Sequence, residues 1–141
     1  MNENDYSAKA VAFVNLLVPM HFDEAAELIS DQCTYSYQDK ILAGSSVINA
    51  FKESHEKAVR ELDSIEYLSA SVKESGPNGI ILSVSDKIAL NGKSHIYRDQ
   101  LEIRMERSGM AWKVVHLAHL PISEERAQLR EFLQLAGPKH S

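Results

Sequence analysis

Apolar residues follow two different periods along this chain. Early on they recur at helical spacing, and from about Ile65 to His119 they alternate. Ala10, Phe13, Val14 and Leu17 fall at i, i+3, i+4 and i+7, which predicts a helix from about Tyr6 to Val18, stopped by Pro19. A short helix follows Phe22, with Asp23 as its N-cap and Ala26, Leu28 and Ile29 facing inward. Cys33 to Gln38 reads as a short strand. A third helix opens after Gly44 with Ser45 as N-cap and runs to about Leu62. Its stripe is Ile48, Phe51, His55, Val59 and Leu62. A last helix starts at Ser123, where Glu124 and Glu125 suit the positive end of its dipole. It carries Leu129, Phe132, Leu133 and Ala136 on one side and ends at Gly137-Pro138.

Asn78-Gly79, Asn91-Gly92 and Ser108-Gly109 separate four runs rich in β-branched and aromatic residues, a strong signal for hairpins. With two-residue loops at the last two, counting sets the register. Across Asn91-Gly92, Leu90 meets Lys93, Ile88 meets His95 and Asp86 meets Tyr97. Across Ser108-Gly109, Met105 meets Trp112, Ile103 meets Val114, Leu101 meets His116 and Asp99 meets Ala118. One face then holds Leu82, Val84, Ile88, Leu101, Ile103, Met105, Trp112 and Val114, interrupted by Asp86, Tyr97, Asp99 and His116. Facing in the first strand depends on the loop at Gly76-Pro77-Asn78-Gly79. Two or four loop residues turn Tyr67, Ser69 and Ser71 to the core, and three turn Leu68, Ala70 and Val72 there. The opposite face of the last strand carries Val115 and Leu117, joined by Ile81. So apolar a back surface predicts a cover, most simply a second copy of the chain.

The 141 residues suit a single domain, with a core over about 6–121 and the C-terminal helix over about 123–136. Hydrophobic residues are 44% and charged residues 25%, ordinary for a globular protein. The net charge of −5 and the lack of any basic run argue against nucleic acid or an anionic membrane as partner. The acidic start, Met1 to Asp5, does not read as a signal peptide, and no apolar run approaches the roughly 20 residues that span a bilayer. Cys33 is the sole cysteine, so a reducing, cytoplasmic setting is expected, with Cys33 a small buried residue.

Helices grouped before an antiparallel meander mean an α+β fold. With Leu42-Ala43-Gly44-Ser45-Ser46-Val47-Ile48-Asn49-Ala50-Phe51 opening the third helix and Trp112-Lys113-Val114-Val115-His116 in the last strand, the chain resembles the nuclear transport factor 2-like superfamily, nearest its polyketide-cyclase-like (SnoaL-like) branch. The resemblance covers about Tyr6 to Pro121. It implies a curved antiparallel sheet wrapped around the N-terminal helices, a cone-shaped pocket, and commonly a dimer through the back of the sheet. Some members carry Trp, then His four and six residues on. Here Trp112 and His116 match, Ala118 holds the third position, and His119 comes one residue late. In a regular strand His119 points outward, and only a β-bulge, such as one near Leu117-Ala118, would turn it back. Members include isomerases, cyclases, dehydratases, epoxide hydrolases and non-enzymatic assembly modules, so the fold alone does not choose.

Asp99 with His116 is the leading pair for chemistry. A carboxylate on an apolar face is a general base, and the ring relays its proton. The plainer reading is a buried pair that satisfies itself. Tyr97, opposite Asp86, is placed to donate to a developing oxyanion, with Asp86 polarising it or acting as base. If both acids face one cavity, repulsion keeps one protonated. His55 either packs or reaches the pocket. Tyr35 and Tyr37 either line its mouth or fill the core, and Trp112 either anchors the core or stacks on a ligand in the pocket. His116 and His119, three apart on a strand, diverge, so no metal site is expected. No phosphate loop or Gly-x-Ser-x-Gly motif is present. The expected function is cofactor-independent isomerase, cyclase or dehydratase chemistry on a small apolar carbonyl or hydroxyl compound. The competing reading is a non-catalytic ligand-binding or dimeric assembly module.

Overall fold

The computed structural model of the chain describes residues 3–17, 21–37, 40–44, 46–76, 79–109 and 111–139. Pro19, Asp39, Ser45 and Asn78 lie outside these residues, as does the side chain of Tyr37. Helix α1 (Glu3–Leu17) buries the expected stripe: Ala10, Phe13, Val14 and Leu17 are at most 1% exposed. In α2 (Phe22–Glu27) the N-cap is His21 rather than Asp23, which sits in the first turn and favours the helix through its charge. Ala25, not Ala26, is the buried residue there. Strand β1 (Ile29–Tyr37) pairs with a strand the pattern did not announce, β2 (Lys40–Ala43), with Tyr35 opposite Leu42.

Helix α3 (Ser46–Glu61) turns Val47 and Ile48 inward, with Phe51 and Ala58 packed beside the core. Val59, expected inside, is 50% exposed. A stripe of 3.6-residue period drifts round the helix, and Ala58 takes the inward position. Then come β3 (Ser64–Gly76), β4 (Gly79–Leu90), β5 (Lys93–Ser108), β6 (Ala111–His119) and α4 (Ser123–Ala136). Gly137, at φ 76°, donates its N–H to Leu133 O and ends α4.

The sheet has six strands in the order β2-β1-β6-β5-β4-β3. It is mixed rather than wholly antiparallel, because β1 runs parallel to β6. The sheet is curved and the fold is α+β. The β4–β5 ladder follows the turn: Leu90 with Lys93, Ile88 with His95, Asp86 with Tyr97. Asn91 and Gly92 both take positive φ, 51° and 81°, as that tight turn requires. Gly79 has a different reason to lack a side chain. A Cβ there would collide with the backbone carbonyl of Ile103.

Bulges overturn simple counting elsewhere. In β3 the register shifts between Tyr67 and Ser69 and again between Val72 and Glu74. Each facing alternative therefore holds for part of the strand: Val72 and Ala70 lie opposite the core residues Leu82 and Val84, and Tyr67 lies opposite Asp86. At the last hairpin Ser108 pairs with Ala111, so the loop begins at Gly109. That displacement moves the pairing by two and preserves facing. Val115 is then an extra residue, since Met105 meets Val114 and Arg104 meets His116. One further shift inverts everything after it. Leu117 turns in opposite Ile103 and is fully buried, and His119 turns in opposite Leu101. His116 and Ala118 turn out, opposite Arg104 and Glu102. The back of the sheet is thus less apolar than expected, because Leu117 belongs to the core.

Replacing Leu117 by Ala opens a cavity and is expected to cost about 3 kcal/mol. Val115→Ala, at the half-buried bulge, is expected to cost under about 1 kcal/mol. Urea unfolding of the two variants checks this, and the regular-strand register predicts equal costs.

Candidate functional site

The concave face carries a row of polar side chains among apolar ones. Tyr67, Asp86 and Tyr97 lie side by side on β3, β4 and β5. Asp99, two residues beyond Tyr97, sits opposite Val84, and His119 sits opposite Leu101 on the neighbouring strand. Asp99 Oδ2 accepts from His119 Nε2 at 2.5 Å, and Asp99 Oδ1 accepts from the backbone N–H of Gln100 at 2.9 Å. A carboxylate held this way fixes the ring's orientation and favours one tautomer. The Tyr67 hydroxyl donates to Asn15 Oδ1 at 2.5 Å, tying α1 to the row.

Asp86 is at the centre of this row. Its Oδ1 is buried without a hydrogen-bond partner. Burial, with a smaller contribution from the charge of Asp99, pushes its carboxyl from 3.8 up to about 6. Burial likewise pushes the Tyr97 phenol up to about 12. The charges of Asp99, Glu125 and Asp86 act in the same direction, and Arg126 opposes them. Tyr67 is raised by burial and then by Asp86. At neutral pH the row therefore offers a mostly ionised, poorly solvated carboxylate flanked by two phenols that keep their protons.

The Asp99–His116 pair expected from counting does not form. The Val115 bulge carries His116 to the convex face, where Nε2 lies 3.6 Å from Glu102 Oε1 and Nδ1 lies 3.4 Å from Thr34 Oγ1. Tyr35 is 4% exposed and stacks on Phe51, with ring centroids 4.9 Å apart, so it fills the core. Trp112 sits opposite Arg107 rather than Met105 and packs against the same core. His55 is half-buried on α3. Burial pushes the Cys33 thiol up to about 11, which keeps it protonated and unreactive at neutral pH.

No protein-family model matches the chain, and no curated protein matches it in sequence. Solved structures do match in shape. A nuclear transport factor 2-like protein with a cystatin-like fold from Novosphingobium aromaticivorans aligns at 13% identity and a TM-score of 0.57, covering 89% of each chain. Aln2 from a Streptomyces species aligns at 10% identity and 0.58, covering 93% of this chain and 98% of that one. The beta subunit of benzoate 1,2-dioxygenase from Burkholderia mallei aligns at 12% and 0.54, covering 88% and 93%. The chain has the nuclear transport factor 2-like fold. At these identities the likeness speaks for the fold alone.

Within that fold a cavity of about 220 Å³ lies between α3, α4 and the sheet, and of the polar row Tyr97 alone is among the side chains lining it, with Asp86 its cross-strand neighbour. Tyr97 reaches it, with Ala58, Leu62, Ile65, Ile88 and Leu129 supplying an apolar lining. His55 and Trp112 do not line it. Among the described residues no group of three or more His, Cys, Asp or Glu side chains is arranged to hold a metal ion, and no helix is long and apolar enough to cross a membrane. The sequence pattern leaves the facing of Tyr67 open, and the bulge after Tyr67 turns it to the concave face. Asn15 left no trace in the pattern. It stands one position past Val14 in an apolar stripe, and only the fold brings it to Tyr67.

Because the folded-state value of Asp86 lies above its ordinary one, the ionised carboxylate opposes folding. Wild-type stability owed to this group is present near pH 4 and is lost as pH rises through about 6. Asp86→Asn is expected to stabilise the protein by roughly 1–2 kcal/mol at pH 7.5, after allowance for partial solvation. The gain disappears near pH 4. Urea unfolding at the two pH values checks it, and an Asn variant less stable than wild type at pH 7.5 contradicts the geometry.

Proposed function

We propose that the concave face is a catalytic site that moves a proton next to a carbonyl or hydroxyl of a small apolar molecule, without a cofactor. This is chemistry of the isomerase, cyclase or dehydratase type, in keeping with the SnoaL-like branch. The observation that carries the reading is Asp86, a half-buried carboxylate whose Oδ1 is buried and unpartnered, set between two tyrosines of which Tyr97 lines an apolar cavity. Such a group lowers stability and contributes nothing to packing, which is how poised bases behave. In this reading Asp86 abstracts the proton, and Tyr97 donates a hydrogen bond to the oxyanion that forms. Asp99 positions His119, which as its imidazolium donates a proton of its own to the substrate, and Asp86 and His119 then exchange protons with solvent to restore the starting state. His119 takes the role that counting assigned to His116.

A second reading has its own observation. At the β1–β6 end the interior is filled by Phe13, Phe51, Met105 and Trp112, which favours a non-catalytic binding or assembly module. Ile96, 44% exposed, sits on the convex face with half-buried Val115, where a homodimer would pair. The beta subunit of benzoate 1,2-dioxygenase shows that this fold also serves as a subunit of a larger enzyme.

Exchange of α-protons for deuterium, followed by NMR over a panel of cyclic ketones and aldehydes, separates the two. The catalytic reading expects exchange that rises with pH through about 6, because the base must be ionised. It also expects at least a 100-fold loss in Asp86→Asn, in the range of a lost general base. No exchange by wild type, with a dimer that Ile96→Glu splits in sedimentation, gives the protein to the assembly reading.

A further inference from the structure

The two helices that flank the cavity turn apolar side chains toward each other without closing the space between them. On one side these are Ala58 of α3 and Leu62 just past its end, and on α4 Leu129 and Leu133, with Leu129 and Leu133 only half-buried. Glu61 and Leu133 also line a second cavity of about 510 Å³, together with Leu90, at the C-terminal ends of both helices. The two spaces adjoin at these two side chains and follow one another along the α3–α4 seam. Its inner end is Tyr97, beside Asp86. Its outer end carries Arg60 and Lys139, and Lys57 stands on the wall of the inner part.

This distribution is unusual for a chain of net charge −5. Three cations border an apolar trough, against the single carboxylate of Glu61 on the shared wall. Lys139 Nζ donates to Val59 O at 3.1 Å, which holds that ammonium at the C-terminal end of α3 and at the mouth of the crevice. An apolar trough closed by a phenol at one end and by cations at the other complements a molecule with an apolar body and one anionic end. The volumes are of the size that takes a small amphipathic ligand rather than a protein segment.

We infer that the α3–α4 crevice binds an amphipathic carboxylate, its apolar body along Leu62, Ile88, Leu90 and Leu133, its acid group at Arg60 and Lys139, and its far end at Tyr97. This rests on the concave face being the working site, and it names the substrate class for that site: an apolar acid whose reacting carbon lies remote from its carboxylate. Exposed cations contribute modestly and act on selectivity, and burial of the chain supplies most of the affinity.

Calorimetric titration of the full chain with dodecanoate, dodecanol and dodecyltrimethylammonium, each below its aggregation limit, tests the inference. Dodecanoate is expected to bind at least 10-fold more tightly than either of the others. Arg60→Glu with Lys139→Glu, both exposed, is expected to weaken it about 10-fold and to leave dodecanol unchanged. Glu61→Gln is expected to tighten dodecanoate severalfold. Leu133→Trp, with folding checked by circular dichroism, is expected to abolish binding of all three probes. Equal affinity for dodecanoate and dodecanol, or no change on reversing Arg60 and Lys139, overturns the anionic end. Retained binding in a folded Leu133→Trp protein overturns the crevice. The outcome is separable from that for catalysis. Dodecanoate bound as expected with no proton exchange on any carbonyl leaves this inference standing and removes the enzyme reading. Exchange on small ketones without dodecanoate binding does the reverse.

Discussion

The pairing of β5 with β6 decides what the concave face contains. From Met105–Val114 the ladder passes to Ile103–Leu117 by giving Val115 no partner. A regular ladder would keep every backbone pair in step but would turn Leu117 to the convex side and His119 away from Asp99. Burying Leu117 is worth roughly 1.5–3 kcal/mol. Turned outward, His119 would leave Asp99 Oδ2 on an apolar face without its 2.5 Å partner. Both terms favour the bulge, and they exceed the loss of local pairing at one residue near the rim. One extra residue thus closes the core and builds the Asp99–His119 pair together.

The polar row shows the opposite balance. Asp86 sits where burial raises its carboxyl to about 6, so at neutral pH its charge opposes the fold. Tyr67 and Tyr97 flank it, yet the Tyr67 hydroxyl is directed to Asn15 on α1 rather than to the carboxylate. Asp99, by contrast, has its oxygens occupied by His119 and the backbone of Gln100. Two acids on one face therefore differ in kind: one is anchored by partners and one is left poised.

Much of this was legible in the residues themselves. The helical stripes of α1 and α4, the Asn91-Gly92 turn and the Asp86–Tyr97 pair all follow from period and turn chemistry, because each is a local property. The bulges were not legible. Val114-Val115 presents two apolar residues in a row, and either one satisfies the pattern as the inward residue. Only the volume to be filled beneath Ile103 selects Leu117 as the next one. The same holds in β3, where Leu68 and Lys73 drop out of step and each counting alternative is right for part of the strand. Strand β2 escaped notice because Ile41, 75% exposed, breaks the alternation that marks a half-buried strand.

The Asn91 turn links the sheet to the open end of the site. Its backbone at φ 51° sets the β4–β5 register and hence the Asp86–Tyr97 pair. Its side-chain amide donates to the carbonyls of Ala136 and Pro138, each at 2.8 Å, satisfying groups that a helix C-terminus leaves over. His95, opposite Ile88, stacks on Phe132 of α4 at 5.3 Å. Helix α4 is therefore positioned at its C-terminal end by the hairpin that carries the polar row. Its Leu129 and Leu133 line the cavity from the other side. A change in that turn would shift Asp86, Tyr97 and the cavity wall together. The cavity's shape is thus coupled to the polar row through the sheet and the tight Asn91-Gly92 turn, and side chains held on regular elements in this way keep their geometry best.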